Sequence, residues 1–299
     1  MCKIALLTEK RYLYHTHQNW YVRNILKEDR LISDSLDAFN IEAKRVAWDE
    51  PNVLNDFNFA LFRTTWNYFD KLDKFYFFLK TWKHKVVFIN SYEQVVWNLN
   101  KQYLIELSSR GINIPDTLLI KMGENVCLNT VCEEKKWSEI VIKPCISAAA
   151  WETYRLKRPF STEQLKLFKK LTTQQDMLIQ SFQKKILSLG EVSLMMIDGK
   201  YSHSVIKKAK KGDFRVQDDY GGKVMDYSAN PLEINFAKKV IDVLRFKPIY
   251  ARVDLIVDNG GKLALSELEL IEPEMWFRKN SLSANLLARA IKNKYFNKY

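Results

Sequence analysis

Residues 248–273 read PIYARVDLIVDNGGKLALSELELIEP, and they decide how the rest of the chain is read. Two β-strand patterns flank Asn259-Gly260-Gly261, a tight-turn signal between alternating apolar positions. Side chains alternate faces along a strand, so Arg252 and Asp254 point one way. Glu267 and Glu269 share a face on the returning strand. Asp254, Glu267 and Glu269 are therefore candidates for one acidic cluster. Crowded carboxylates repel one another unless a hard cation neutralises them, and oxygen-only ligation suits Mg²⁺. The same spacing also serves a solvated hairpin with alternating charges. A phosphate site elsewhere in the chain is what would separate the two.

The chain has 299 residues, 47% hydrophobic and 27% charged, the balance of a globular protein of two or three lobes. No apolar run reaches membrane-spanning length, and the first residues read as a strand, not a signal peptide. Cys2, Cys127, Cys132 and Cys145 form no CxxC pair, so reduced thiols in a cytoplasmic protein are expected. The net charge of +12 is spread over lysines such as Lys166, Lys169 and Lys170, which suit a solvated helix surface better than a nucleic-acid groove. Lys207, Lys208, Lys210, Lys211 and Arg215 are denser and could meet a polyanion. No RRM, KH or helix-turn-helix signature accompanies them.

Outward from the hairpin, the first 90 residues alternate strand and helix: strand 3–7, helix 20–39, strand 41–48, strand 59–62, helix 70–82, strand 86–90. That order predicts an open parallel α/β sheet. No GxGxxG follows the first strand, which excludes a dinucleotide fingerprint. Ligands of such sheets sit at the carboxyl ends of the strands, where Thr64, Thr65, Trp66 and Tyr68 fall. These residues suit a small-molecule pocket or, equally, a packed turn. His15 and His17 have no third ligand and read as surface residues.

In the middle of the chain a helix is expected from Trp97 to Ser109, then a strand at 117–121. Glu139–Pro144 is an apolar strand with Lys143 near its end, followed by the small-residue loop Cys145-Ile146-Ser147-Ala148-Ala149-Ala150. A strand-end ammonium beside small side chains lets backbone N–H groups approach a phosphate. It is not a Walker A loop. Strands follow at 177–182 and 189–200, with 204–208 pairing back. His203 reads as a strand-borne, hydrogen-bonded histidine.

The order of these segments resembles the ATP-grasp superfamily, in particular glutathione-synthetase-like and cycloserine-biosynthesis-ligase-like carboxylate–amine ligases. The segments are Arg63–Tyr68, Trp97-Asn98 with Lys101–Leu104, Val141–Pro144, Gly190–Leu194, Lys211–Gln217 with Tyr220–Gly222, Tyr250–Asp254 and Glu267–Pro273, spanning about residues 60–275. The resemblance implies an α/β (α+β) ATP-grasp architecture: an N-terminal open parallel domain (1–97), a linker helix and lid (98–182), and a C-terminal antiparallel-sheet subdomain (183–299). It implies that Lys101 and Lys143 reach ATP phosphates under the loop of Ser147, Ala148 and Ala149. By the same likeness the backbone of Gln180, Ser181 and Phe182 reads adenine, Glu191 holds ribose, and Lys207, Arg215 and Arg252 serve catalysis. Asp254, Glu267 and Glu269 match the Mg²⁺ ligands. Thr64, Trp66, Tyr68, Gly221 and Gly222 are assigned to the substrate. The chain departs from many relatives in Ala148-Ala149-Ala150, where glycines are common, and in Glu269, where asparagine is common.

The function so implied is an ATP- and Mg²⁺-dependent ligase, with Mn²⁺ as an alternative ion, joining a small-molecule carboxylate and amine through an acyl phosphate. Lid closure over 145–150 and 208–222 would exclude water. No nucleic acid or membrane partner is expected; the oligomeric state is open, with a homodimer as one candidate state. A kinase of the same fold, or a nucleotide-binding module without turnover, is the alternative.

Overall fold

The computed structural model describes residues 2–13, 19–148, 150–210, 212–216 and 221–296. In chain order the strands are β1 (Lys3–Thr8), β2 (Glu42–Ala47), β3 (Phe59–Thr64), β4 (Val87–Ile89), β5 (Thr117–Ile120), β6 (Glu139–Pro144), β7 (Tyr154–Lys157), β8 (Met177–Ser181), β9 (Glu191–Ile197), β10 (Lys200–Lys208), β11 (Lys223–Tyr227), β12 (Tyr250–Val257) and β13 (Leu263–Glu269). The helices are α1 (Lys10–Leu13), α2 (Trp20–Asp37), α3 (Leu72–Trp82), α4 (Tyr92–Leu99), α5 (Tyr103–Ser109), α6 (Leu128–Glu134), α7 (Thr162–Gln174), α8 (Ile186–Leu189), α9 (Pro231–Asp242) and α10 (Leu282–Tyr295).

The first sheet is parallel, in the order β2-β1-β3-β4. β1 and β3 are buried along almost their whole length, as strands covered by helices on both faces must be. The second sheet, β5-β8-β6-β7, is antiparallel and closes over α6 and α7 with Ile140, Ile142, Phe168 and Met177 in its core. The third sheet is antiparallel, in the order β11-β10-β9-β12-β13.

Two packings hold the third sheet in place. Ala237, Val240 and Ile241 of α9 join Ala251, Val253 and Leu255 of β12 in one core. Leu287 and Ile291 of α10 pack with Ile4 and Leu61 of the parallel sheet and with Met195, Ile197 and Tyr250 of the third sheet. The parallel and antiparallel sheets thus share one hydrophobic core. Asn90, just past β4, adds to the join: its side-chain amide donates to the carbonyls of Tyr250 and Leu270, and its oxygen accepts from Ile249 N.

The helix expected over 97–109 is two helices. α4 begins earlier, at a capping box in which Ser91 and Gln94 satisfy each other's backbone N–H groups. Asn100 then turns extended (φ −101°, ψ 113°) and caps Gln102 N through its own side chain, so α5 starts afresh. The interruption lets Lys101 N donate to Cys145 O at 2.7 Å, tying the linker to the loop after β6. All four cysteines are free. His203 is buried and bonded through Nε2 to Met275 O, as its strand position suggested. Among the described residues no helix is long and apolar enough to cross a membrane.

Candidate active site

The three sheets surround a cavity of about 570 Å³. Its floor is one face of the third sheet. On β12, Ala251, Val253 and Leu255 point into the core, while Arg252 and Asp254 point the other way. Arg252 lies opposite Glu269 and Asp254 opposite Glu267. The register then slips by one: Leu255 pairs with Leu265, leaving Ser266 as the extra residue of a bulge. Without it, Leu265 and Glu267 would share a face. With it, Leu265 goes to the core and Glu267 to the cavity.

Carboxylate oxygens of Asp254, Glu267 and Glu269 all lie within 4.8 Å of one another. Basic side chains surround them. Arg252 grips Asp254 with Nε and Nη2 at 3.0 and 2.8 Å and also bonds Glu269. Lys207 bridges Asp254 at 2.9 Å and Glu191 at 2.5 Å. Lys101 bonds Glu267 at 2.8 Å and Ser147 O at 2.9 Å. Lys143 shares the cavity face of β6 with Val141 and has no ion-pair partner among the described residues.

These contacts set the protonation of the site. Burial alone would raise all three acids. Arg252 and Lys207 overcome it at Asp254, and Lys101 and Lys143 at Glu267, so both carboxyls are held below the ordinary range. Glu269 is pushed up to about 7, because burial and the charges of Glu267 and Asp254 outweigh Arg252. Burial depresses Lys143, with Lys101 adding to the effect and Glu267 opposing it. An all-oxygen set at this spacing, with two members ionised, fits a hard divalent cation.

Of the other residues singled out in the sequence, Ser147, Ala148, Gln180, Ser181, Phe182, Glu191, Lys207, Arg215, Trp66 and Tyr68 line the cavity. Arg215 is paired with Asp213 at 2.7 Å. Thr64 does not line it: its hydroxyl bonds that of Thr8, so it is the packed strand end that the sequence left open. Gly221 and Gly222 do not line it either; Gly222 borders a separate shallow pocket with Trp20 and Lys27. The hinge is more occupied than expected. Ser181 N donates to Asp116 O and Phe182 N to Glu139 O, so neither N–H is available to a base edge. Ser181 O accepts from Gln183 Nε2 at 2.9 Å and keeps a second lone pair. Ala149, His15, His17 and Lys211 lie outside the described residues.

Several wall residues escaped the sequence reading. Gln183 latches the hinge to the hairpin turn by accepting from Asn259 N at 2.8 Å. Glu272 is buried beside Tyr68, which hydrogen-bonds it; burial and the Glu269 charge push its carboxyl up to about 8. Glu9, buried next to Arg11, bonds it at 2.6 Å. Trp276 is buried beneath Lys207 and Arg252. The run of acids after Glu269 was the available signal for Glu272; for Trp276 there was none.

Comparison with known proteins agrees with this architecture. A family model described as D-cycloserine synthetase DcsG, N-terminal domain, matches residues 4–90. The cycloserine biosynthesis protein DcsG of Streptomyces lavendulae is 24% identical over 253 residues, 79% of this chain and 83% of that one. The crystal structure of D-cycloserine synthetase DcsG superimposes with a TM-score of 0.84 at 21% identity, over 97% of this chain and 99% of its own. The ATP complex of D-alanine–D-alanine ligase from Bacillus anthracis gives 0.64 at 14% identity, over 98% and 97%. The ATP-grasp ligase PsnB, with Mg and ADP, gives 0.63 at 12%, over 98% of each chain.

Proposed function

The chain has the ATP-grasp fold, and we propose that it is an ATP- and Mg²⁺-dependent, ADP-forming carboxylate–amine ligase that builds an amide or peptide bond on a small amino-acid-like or peptide substrate. The observation that carries this reading is the oxygen-only set of Asp254, Glu267 and Glu269 in one cavity with Lys101 and Lys143. Mg²⁺ bound there would neutralise phosphate oxygens, and Mn²⁺ would use the same donors.

The remaining chemistry belongs to the protein. Lys143, half-buried and without an ion-pair partner among the described residues, gains one when a phosphate arrives, and Lys101 exchanges Glu267 for the same ligand. A substrate carboxylate oxygen attacks the γ-phosphorus, the bond to the β–γ bridging oxygen breaks, and ADP leaves. Arg252 and Arg215 face the acyl phosphate so formed, in a cavity where charged donors act at low dielectric. An amine nitrogen attacks the acyl carbon, the carbon–oxygen bond to phosphate breaks, and the nitrogen gives up a proton. Such a sequence uses no enzyme nucleophile. Glu9, Tyr21, Trp66, Tyr68 and Glu272 form an aromatic and acidic end of the cavity suited to an amino-acid-like substrate.

Glu191 would hold the ribose and the β8 end the adenine, with Ser181 O as acceptor. The divisions at 97/98 and 182/183, a homodimeric state and a cytoplasmic location belong to the same proposal. ADP release, measured with Mg²⁺ against a panel of amino acids and dipeptides for wild type and Glu267→Gln, tests it. One carboxylate–amine pair should stimulate ADP release and yield an amide, and the variant should abolish both. A phosphorylated product without amide would point to a kinase, and failure to bind ATP would end the reading.

A further inference from the structure

The loop after β13 holds the feature that the mechanism leaves unused. Trp276 is 2% exposed, lines the cavity, and its indole Nε1–H has no hydrogen-bond partner among the described residues. Buried donors are almost always satisfied, and an indole nitrogen can only donate. Trp276 also has φ +46°, a left-handed backbone that a bulky residue rarely adopts. Such a conformation persists only where the surroundings over-determine it.

They do so here, from three other elements. Glu28 of α2 accepts Phe277 N and Arg278 N, each at 2.9 Å. His203 of β10 bonds Met275 O at 2.9 Å. From the end of β3, Arg63 reaches Pro273 O at 3.4 Å and Trp66 Nε1 donates to Glu272 O at 2.9 Å. The ring so held lies under two of the cavity cations, 5.2 Å from the Arg252 guanidinium carbon and 5.8 Å from Lys207 Nζ.

We propose that Trp276 is a substrate-positioning residue whose indole N–H donates to an oxygen of the carboxylate being activated, beside Arg252. The site needs an acceptor there, and the two neighbouring cations select an anionic one. Arg252 is already shared between Asp254 and Glu269, so an uncharged donor adds orientation without drawing a further carboxylate from the metal set. This assignment rests on the ligase reading.

Nuclear magnetic resonance of the full-length protein with ¹⁵N-labelled indoles tests it, the Trp276 cross-peak being identified by its loss in Trp276→Phe. With Mg²⁺ and β,γ-imido-ATP saturating, acetate and glycine should move the Trp276 indole proton downfield, and ethanol should not. A Trp276 peak that ignores both carboxylates, while nucleotide shifts other resonances, overturns the proposal. If the nucleotide shifts no resonance at all, the ligase reading falls and takes the proposal with it. In turnover, Trp276→Phe keeps the ring and removes the donor. It should lower kcat roughly tenfold or more and leave the KM for MgATP within about twofold. Undiminished kcat overturns the assignment; should the variant misfold, the wild-type spectra decide.

Discussion

Asp254 and Glu267 face each other across β12 and β13, and the single extra residue Ser266 sets Glu267 on the cavity side while Leu265 stays in the core. A regular hairpin would place Glu267 on the same face as Leu265, which is fully buried in the core. The bulge is therefore what allows an apolar core and an acidic cluster to occupy one short strand. Deleting Ser266 makes Leu265 and Glu267 direct neighbours, which alternate faces in a regular strand, so Leu265 stays in the core and Glu267 in the cavity. Mg²⁺-dependent nucleotide binding, followed by calorimetry, should survive the deletion, and its loss would contradict this face assignment.

Lys143 has no ion-pair partner among the described residues, and burial lowers the pKa of its ammonium although Glu267 opposes the effect. Lys143→Met keeps the bulk of the side chain and removes the desolvation cost of the half-buried ammonium. The nucleotide-free variant should melt at or above the wild-type temperature, while its affinity for MgATP drops by about 10- to 100-fold. Opposite signs in the two measurements distinguish a ligand-binding lysine from a structural one.

Glu272 makes stability depend on pH. Folding raises its carboxyl from the ordinary 4.5 to about 8, so the unfolded chain releases this proton first as pH rises. The group's contribution is complete below about 4.5 and gone above about 8. Glu272→Gln has no proton to lose, so it should out-melt wild type at pH 8.5–9, and its advantage should shrink steadily toward pH 5. A melting-temperature series without nucleotide reads this directly, and a constant difference across the range would contradict it.

Gly190 sets the start of β9, just before Glu191. It has φ +84°, and a Cβ there would come 2.5 Å from the Lys207 carbonyl oxygen. Gly190→Ala should cost ~2 kcal/mol or more, from strain and clash together. It should also displace the Glu191–Lys207 pair, so denaturant unfolding and nucleotide binding should both suffer.

Much of this architecture is legible along the chain because it depends on local pattern. Alternating strand and helix periods mark the parallel sheet, and the Asn259-Gly260-Gly261 turn marks the hairpin. Lys143 is visible as a charge ending an apolar strand. The break at Asn100–Gln102 was less so, since apolar spacing runs on through it and only the Ser91–Gln94 box fixes the earlier start. Thr64 shows the limit of position alone: a strand end can face a ligand or, as here, a neighbouring strand's hydroxyl.

By itself the sequence determined which acids and bases the chain has to offer and the strands that bear them, because side-chain alternation and turn chemistry act over a few residues. Tertiary structure alone decided that Ser266 would be bulged, that Gln183 would take up the Ser181 carbonyl, and that Trp276 would be held under Arg252 by Glu28, His203, Arg63 and Trp66. Those outcomes come from contacts between segments up to 250 residues apart, as between Glu28 and Arg278. Long-range packing chooses among local conformations of similar energy, and no local pattern records that choice.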